Sequence, residues 1–196
     1  RAPLAREVAQ LGAVLGREFS YDMLQALASV EESTLLEGLN QLVEHGLLYQ
    51  RGRPPRATYS FKHALVHETA YRSLLRRTRR HYHLAAARLI EKHFPALVQT
   101  EPEIVAHHYS EADRPGPSIK YWHQAGGRAR HRSAHVEAIA HLTKALEILA
   151  TLPETAERAK TELALLLSVG PSLVAIKGYA AREVEEIYSR ARMLCR

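Results

Sequence analysis

The chain has 196 residues, 46% hydrophobic and 24% charged, the balance of an ordinary soluble globular protein of one or two domains with a sizeable core. It contains no run of about 18 apolar residues and no charged-then-apolar leader, so neither a membrane span nor a secretory signal is expected. One cysteine, Cys195, excludes an internal disulfide and fits a reducing cytoplasm, and the net charge is +6.

Leu4, Val8, Leu11 and Leu15 fall at helical spacing before Gly16 and predict a first helix over 5–15. Ser20 is placed to accept a bond from a free amide of the next turn and to cap a second helix over 21–27. A third helix is expected over 31–45, with Leu35, Leu39, Leu42 and Val43 on one face and Gly46 as its terminator. Then two arms, 47–50 and 57–61, alternate in polarity. Between them Arg51-Gly52-Arg53-Pro54-Pro55-Arg56 holds a glycine and two prolines that cannot sit in a ladder. Three helices followed by a two-stranded wing predict a winged-helix domain at residues 1–61.

The apolar period changes over 59–75. Tyr59 and Phe61 alternate with Ser60 and Lys62, whereas Leu65, Ala70 or Thr69, and Leu74 recur at helical spacing and put one apolar stripe on a helix. Everything after the wing is expected to be helical. A connector over 62–100 comprises helices at 62–75 and 78–94, the second with Tyr82, Ala86, Leu89 and Ile90 inward and Pro95 as its end. From Pro102 another helix runs through Ile104, Ala106 and Tyr109, closed by a loop at 113–117.

Residues 101–196 carry a repeat pattern. Placing Trp122 at the fourth position of a tetratricopeptide (TPR) repeat puts Ala125, Gly126, Ala129, Ala138, Leu142 and Ala145 at the small and large positions that nest two helices. Ala129 departs from the usual aromatic. Val184, Tyr188 and Ala191 repeat the spacing of Ala138, Leu142 and Ala145 forty-six residues later, longer than the usual repeat of about 34. The extra residues are expected near Gly170-Pro171 and Lys177-Gly178-Tyr179, with a partner helix over 154–169 whose apolar residues are Leu163, Leu166 and Leu167. Because a repeat buries its face against the next, an incomplete array cut from a longer chain is expected. The fold class is therefore mainly α, with one β-hairpin, a helical connector and a TPR-like α-solenoid.

The run Phe61-Lys62-His63-Ala64-Leu65-Val66-His67-Glu68, with Ala70-Tyr71 and Leu74-Leu75, resembles the segment that follows the ATPase core in bacterial STAND-type predicted ATPases, many of them fused to class III adenylate/guanylate cyclase domains. In that family Val14-Leu15-Gly16-Arg17-Glu18-Phe19 opens the winged-helix module, and the likeness extends over essentially all of the chain. The resemblance implies a cytoplasmic, non-catalytic regulatory and scaffolding segment. The winged helix would pack on an intramolecular ATPase core, ATP and magnesium would belong to the parent protein, and a protein partner or effector would bind the repeats. The alternative is the DNA-binding region of a STAND-type transcriptional regulator.

No Walker A pattern, Gly-rich phosphate loop or strand ending in an Asp pair occurs, so no catalytic or cofactor-binding residue is assigned here. Gly126-Gly127 is taken as a helix-nesting pair. His63 with His67 and His131 with His135 are each four apart on a helix, but two ligands do not close a zinc site, and His63 and His67 are expected to pack between wing and helix instead. A winged helix with a basic wing is also a common DNA reader. Its third helix would enter the major groove, and here that helix carries Glu31, Glu32, Glu37 and Glu44 with no Lys or Arg, leaving Asn40 and Gln41 as base readers. Carboxylates facing a polyanion repel it, so nucleic acid ranks below a protein partner.

The charge is concentrated in one band. Residues 1–49 sum to −4, residues 50–92 to +9, and the rest is nearly neutral. Arg51, Arg53 and Arg56 at the wing tip and Arg76, Arg77, Arg79 and Arg80 between the connector helices are the expected docking or anion-binding residues, and Trp122, Gly126, Ala138, Leu142, Ala145 and Tyr188 the repeat framework.

Overall fold

A computed structural model of the chain describes residues 2–195. Among them are eleven helices, 74% of the chain, and one small three-stranded antiparallel sheet. The chain divides into two compact units, Arg1–Pro95 and Ala96–Arg196.

The first unit contains α1 (Ala2–Leu15), β1 (Glu18–Ser20), α2 (Tyr21–Leu27), α3 (Glu32–Glu44), β2 (Leu48–Arg51), β3 (Thr58–Phe61), α4 (Ala64–Arg72) and α5 (Arg76–His93). The sheet has the order β1-β3-β2, with Phe19 opposite Tyr59 and Leu48 opposite Phe61. Strand β1 adds a third strand to the expected hairpin. At three residues, with only Phe19 buried, it is too short to show an alternation of its own. Ser20 does cap α2, its hydroxyl accepting from the Met23 amide at 3.3 Å.

The core of this unit joins α1, α2, α3 and the sheet through Val8, Leu11, Leu24, Leu35, Leu39 and Tyr59. Helices α1 and α3 approach closely at Gly38, where a Cβ would lie 2.7 Å from Val8 Cγ2. At the end of α3, Gly46 adopts φ +70°, and its amide and that of Leu47 return to the carbonyls of Val43 and Leu42.

Residues 62–95, expected as most of a connector, are part of the first unit. Helix α4 packs on α1 and β3, and α5 packs on α1 and α2. The stripe on α4 is rotated from the expected one. Val66, Ala70 and Tyr71 pack against the core, while Leu65, about 100° away around the helix, is 74% exposed. Leu74, beyond the helix end, is buried.

The second unit is built from α6 (Pro95–Thr100), which begins at the boundary, α7 (Pro102–Glu111), α8 (Pro115–His131), α9 (His135–Ala150), α10 (Ala156–Lys177) and α11 (Arg182–Leu194). From α7 onward each helix packs on the next. The loop expected at 113–117 is shorter, because Pro115 and Pro117 form the first turn of α8, where an amide has no helical partner to lose.

The larger correction is at α10. Gly170-Pro171, expected in a loop, lies inside a continuous helix of 22 residues. Proline removes the bond to the Leu167 carbonyl, but Pro171 and Leu167 are both exposed, so that carbonyl is on the wet side of the helix. The opposite side, with Leu165, Leu166, Val169 and Leu173, is buried and holds the helix together across the break. By length and composition α10 is apolar enough to cross a membrane, with a mean hydropathy of 1.4 over its best window. Here it packs along α9 and α11 instead.

Candidate functional site

In the first unit α1, α3 and α4 enclose an open groove of about 990 Å³. Its floor is apolar, from Ala5, Ala9, Leu42, Leu47 and Val66, and Leu65 stands exposed at its edge. Arg6, Gln41, Glu44 and His45 supply the polar rim on the side of α1 and α3. The sequence contains a signal for this groove: Leu65 and Val66 are adjacent, and two consecutive residues on a helix cannot both face one core.

The exposed face of α3 beside the groove is acidic. Asn40 is exposed, and Gln41 donates to the Glu37 carboxylate at 3.3 Å. Both amides share a shallow depression with Glu37 and Glu44. A base edge entering here would meet carboxylates first.

The seven arginines ride on two different elements. Arg51 at the end of β2 pairs with Glu18 at 3.5 Å, both side chains largely exposed, while Arg53 and Arg56 stand exposed in the hairpin loop. Arg76 and Arg77 are exposed in the first turn of α5, Arg80 is half-buried, and Arg79 lies over the Tyr71 ring at 4.8 Å.

Of the two first-unit histidines expected to pack, His67 does and His63 does not. His67 donates from Nε2 to the Ala13 carbonyl at 3.0 Å and meets Phe61 edge-on, tying α4 to α1 and the sheet. Tyr71 then hydrogen-bonds His83 at 2.9 Å, tying α4 to α5. His63 is exposed and precedes α4. His131 ends α8 and His135 begins α9, where its Nδ1 lies 3.3 Å from the Ser172 hydroxyl. No group of three or more His, Cys, Asp or Glu side chains gathers among the described residues.

In the second unit Trp122 is buried, donates to the Ser110 hydroxyl at 3.0 Å and stacks on His141 with ring centres 5.3 Å apart. Ala138, Leu142 and Ala145 of α9 are fully buried. Leu142 fills the space over Gly126, where a Cβ would lie 2.8 Å from Leu142 Cδ2. The same device recurs between α10 and α11: a Cβ on Gly170 would lie 2.6 Å from the Tyr188 hydroxyl oxygen. Gly170 is thus the counterpart of Gly126. Leu166, Val169 and Leu173, all buried, then correspond to Trp122, Ala125 and Ala129. This second set was hidden because Gly170 precedes a proline, and that dipeptide ordinarily marks a loop.

No family model matches the chain, and no solved structure matches it. An uncharacterized protein of Rhizobium meliloti (strain 1021) is 28% identical over 193 residues, which are 98% of this chain and 19% of that protein. The chain therefore spans about a fifth of the length of the curated relative it matches.

Proposed function

We propose that the chain is the non-catalytic regulatory and scaffolding segment of a bacterial STAND-type signal-transduction ATPase, cytoplasmic, with ATP and magnesium held by a nucleotide-binding core elsewhere in the parent. On this reading the first unit is a winged helix extended by α4 and α5, and the second is a TPR-like array that receives a protein partner or effector. The order of three helices interleaved with a β1-β3-β2 sheet supports the winged helix. The paired use of Gly126 with Leu142 and of Gly170 with Tyr188 supports repetition of one helix-pair unit. A match covering a fifth of a longer protein is compatible with a segment that works inside a larger one.

The observation that carries the docking role is the groove beside α3, with an apolar floor, Leu65 exposed at its edge and carboxylates rather than cations on the neighbouring helix face. Such a surface suits the side of a protein domain and disfavours a nucleic acid backbone. Its occupant, by the resemblance, is the ATPase core. The test is Leu65→Glu in the full-length parent, with protease accessibility of the junction and basal ATPase activity as readouts. Because Leu65 is exposed, the isolated chain should keep its melting temperature, while the parent should open to protease and change its basal rate. A parent unchanged in both respects would remove the groove as the docking face.

A further inference from the structure

Gly127 lies in the interior of α8, a place where glycine is disfavoured unless something needs the room of its missing side chain. Among the described residues nothing does: apart from its own chain neighbours and the adjoining helix backbone, no atom lies within 4 Å of the position its Cβ would occupy. That empty space opens into a cleft of about 690 Å³ in the second unit, between α8 and the segment of α6 and the start of α7. The volume falls within the roughly 300–1,000 Å³ of small-molecule sites.

The cleft is basic on one side and apolar on the other. Gln124, Arg128 and His131 of α8 and Arg132 at its C-cap face it together with Gln99 of α6, and no carboxylate lines it among the described residues. Val98, Pro102 and the ring of buried Tyr121 form the apolar wall. Arg128 is held in place by one donor, its Nη1 giving a bond to the Gln99 carbonyl at 3.2 Å. Its Nε is buried and has no hydrogen-bond partner among the described residues. Arg132 reaches Glu137 with Nη2 at 3.2 Å, a pair exposed enough to leave its other donors available. A guanidinium positioned by one bond and a second guanidinium one turn on, both lining the same cleft, are donors of the kind that takes an oxyanion.

We propose that this cleft binds a small molecule bearing a phosphate or carboxylate group, with the anion on Arg128 and Arg132, the body of the ligand against Val98, Pro102 and Tyr121, and the space at Gly127 admitting it close to the α8 backbone. This names the class of effector within the regulatory reading above and depends on that reading only for its consequence. Binding itself is measured on this chain alone, so its failure is distinct from a failure of docking in the parent.

The experiment is titration calorimetry of the 196-residue chain with inorganic pyrophosphate and, separately, with citrate, which distinguishes the two anion sources. Saturable one-site binding of at least one is expected, weakened more than about tenfold by Gly127→Leu, whose added side chain fills the cleft without meeting the chain at its Cβ. Arg132→Gln, at an exposed side chain, should weaken it as well and protects the test if Gly127→Leu perturbs folding. No saturable binding of either anion, or equal affinity in both variants, would overturn the proposal. Binding of a polyglutamate peptide with no binding of the two small anions would also overturn it, assigning the cleft to a polypeptide.

Discussion

Gly126 and Gly127 are sequence neighbours with opposite surroundings, and they show what a residue type alone conceals. At Gly126 the Leu142 side chain, fully buried, leaves no room for a methyl group; at Gly127 the same position is open. Both would gain helix propensity of about 0.5–1 kcal/mol on becoming alanine. Only Gly126→Ala must also displace a packed side chain, at a cost of roughly 1–3 kcal/mol. Denaturant unfolding of the two variants should therefore show Gly126→Ala destabilised and Gly127→Ala unchanged or more stable. Ala138→Phe, overpacking the same helix pair, should destabilise by a similar 1–3 kcal/mol. If Gly126→Ala and Ala138→Phe melt like the parent sequence, α8 and α9 do not nest as described. The burial of Trp122, Ala138, Leu142 and Ala145 was legible because small and large residues alternate there at fixed spacing. The role of Gly127 was not, since a pair of glycines carries no mark of which one faces a neighbour and which faces a gap.

Helices and the hairpin arms were legible from periodicity, whereas the elements that break a local rule were not. Strand β1 exists because the β3 edge offers Phe19 and its neighbours backbone partners from across the sequence, information absent from three residues read alone. Helix α10 continues through Pro171 because its buried side is held by other helices. Two of those attachments flank the proline: His123 of α8 lies 2.8 Å from the Ser168 hydroxyl, and His135 of α9 lies 3.3 Å from that of Ser172. Ser168 gives its own proton to the Ala164 carbonyl, so its oxygen accepts from His123 Nε2–H, a bond that either protonation state of the ring can make. Burial lowers the His123 pKa below the ordinary 6.5, and the positive charge of Arg130 pushes the same way. A depressed base binds fewer protons folded than unfolded. Its contribution is thus fully present above about pH 6.5 and is lost as the pH falls from there through the lower folded value. Unfolding midpoints should be level above neutrality and decline below it, and His123→Gln should flatten part of that decline. A wild-type profile that His123→Gln leaves equally steep would mean that the buried His123 ring does not carry the decline.

At the scale of the whole molecule the charge is concentrated in one basic band. Residues 50–92 sum to +9, and the acidic groups that precede them belong in part to α3, on the same unit. Arg53, Arg56, Arg76 and Arg77 are exposed and unpaired among the described residues, and Arg51 has only an exposed pair with Glu18. Exposed pairs contribute about 0–1 kcal/mol each, so several must act together to hold a domain, and a network of that kind loosens with salt. A nucleic acid would use the same charges but would approach past Glu37 and Glu44 to reach Asn40 and Gln41. The two partners separate when Arg76, Arg77, Arg79 and Arg80 are all changed to Glu in the full-length parent. Arg79 also covers the Tyr71 ring, so the variant needs its melting temperature checked in the isolated chain first. On the proposed reading of the parent as an ATPase, docking predicts that its basal rate shifts and that its interdomain segments become accessible to protease, and raising the salt of the unaltered parent should move both readouts the same way. If both stay constant while binding to duplex DNA disappears, the band serves nucleic acid, and the transcriptional-regulator alternative replaces the docking reading.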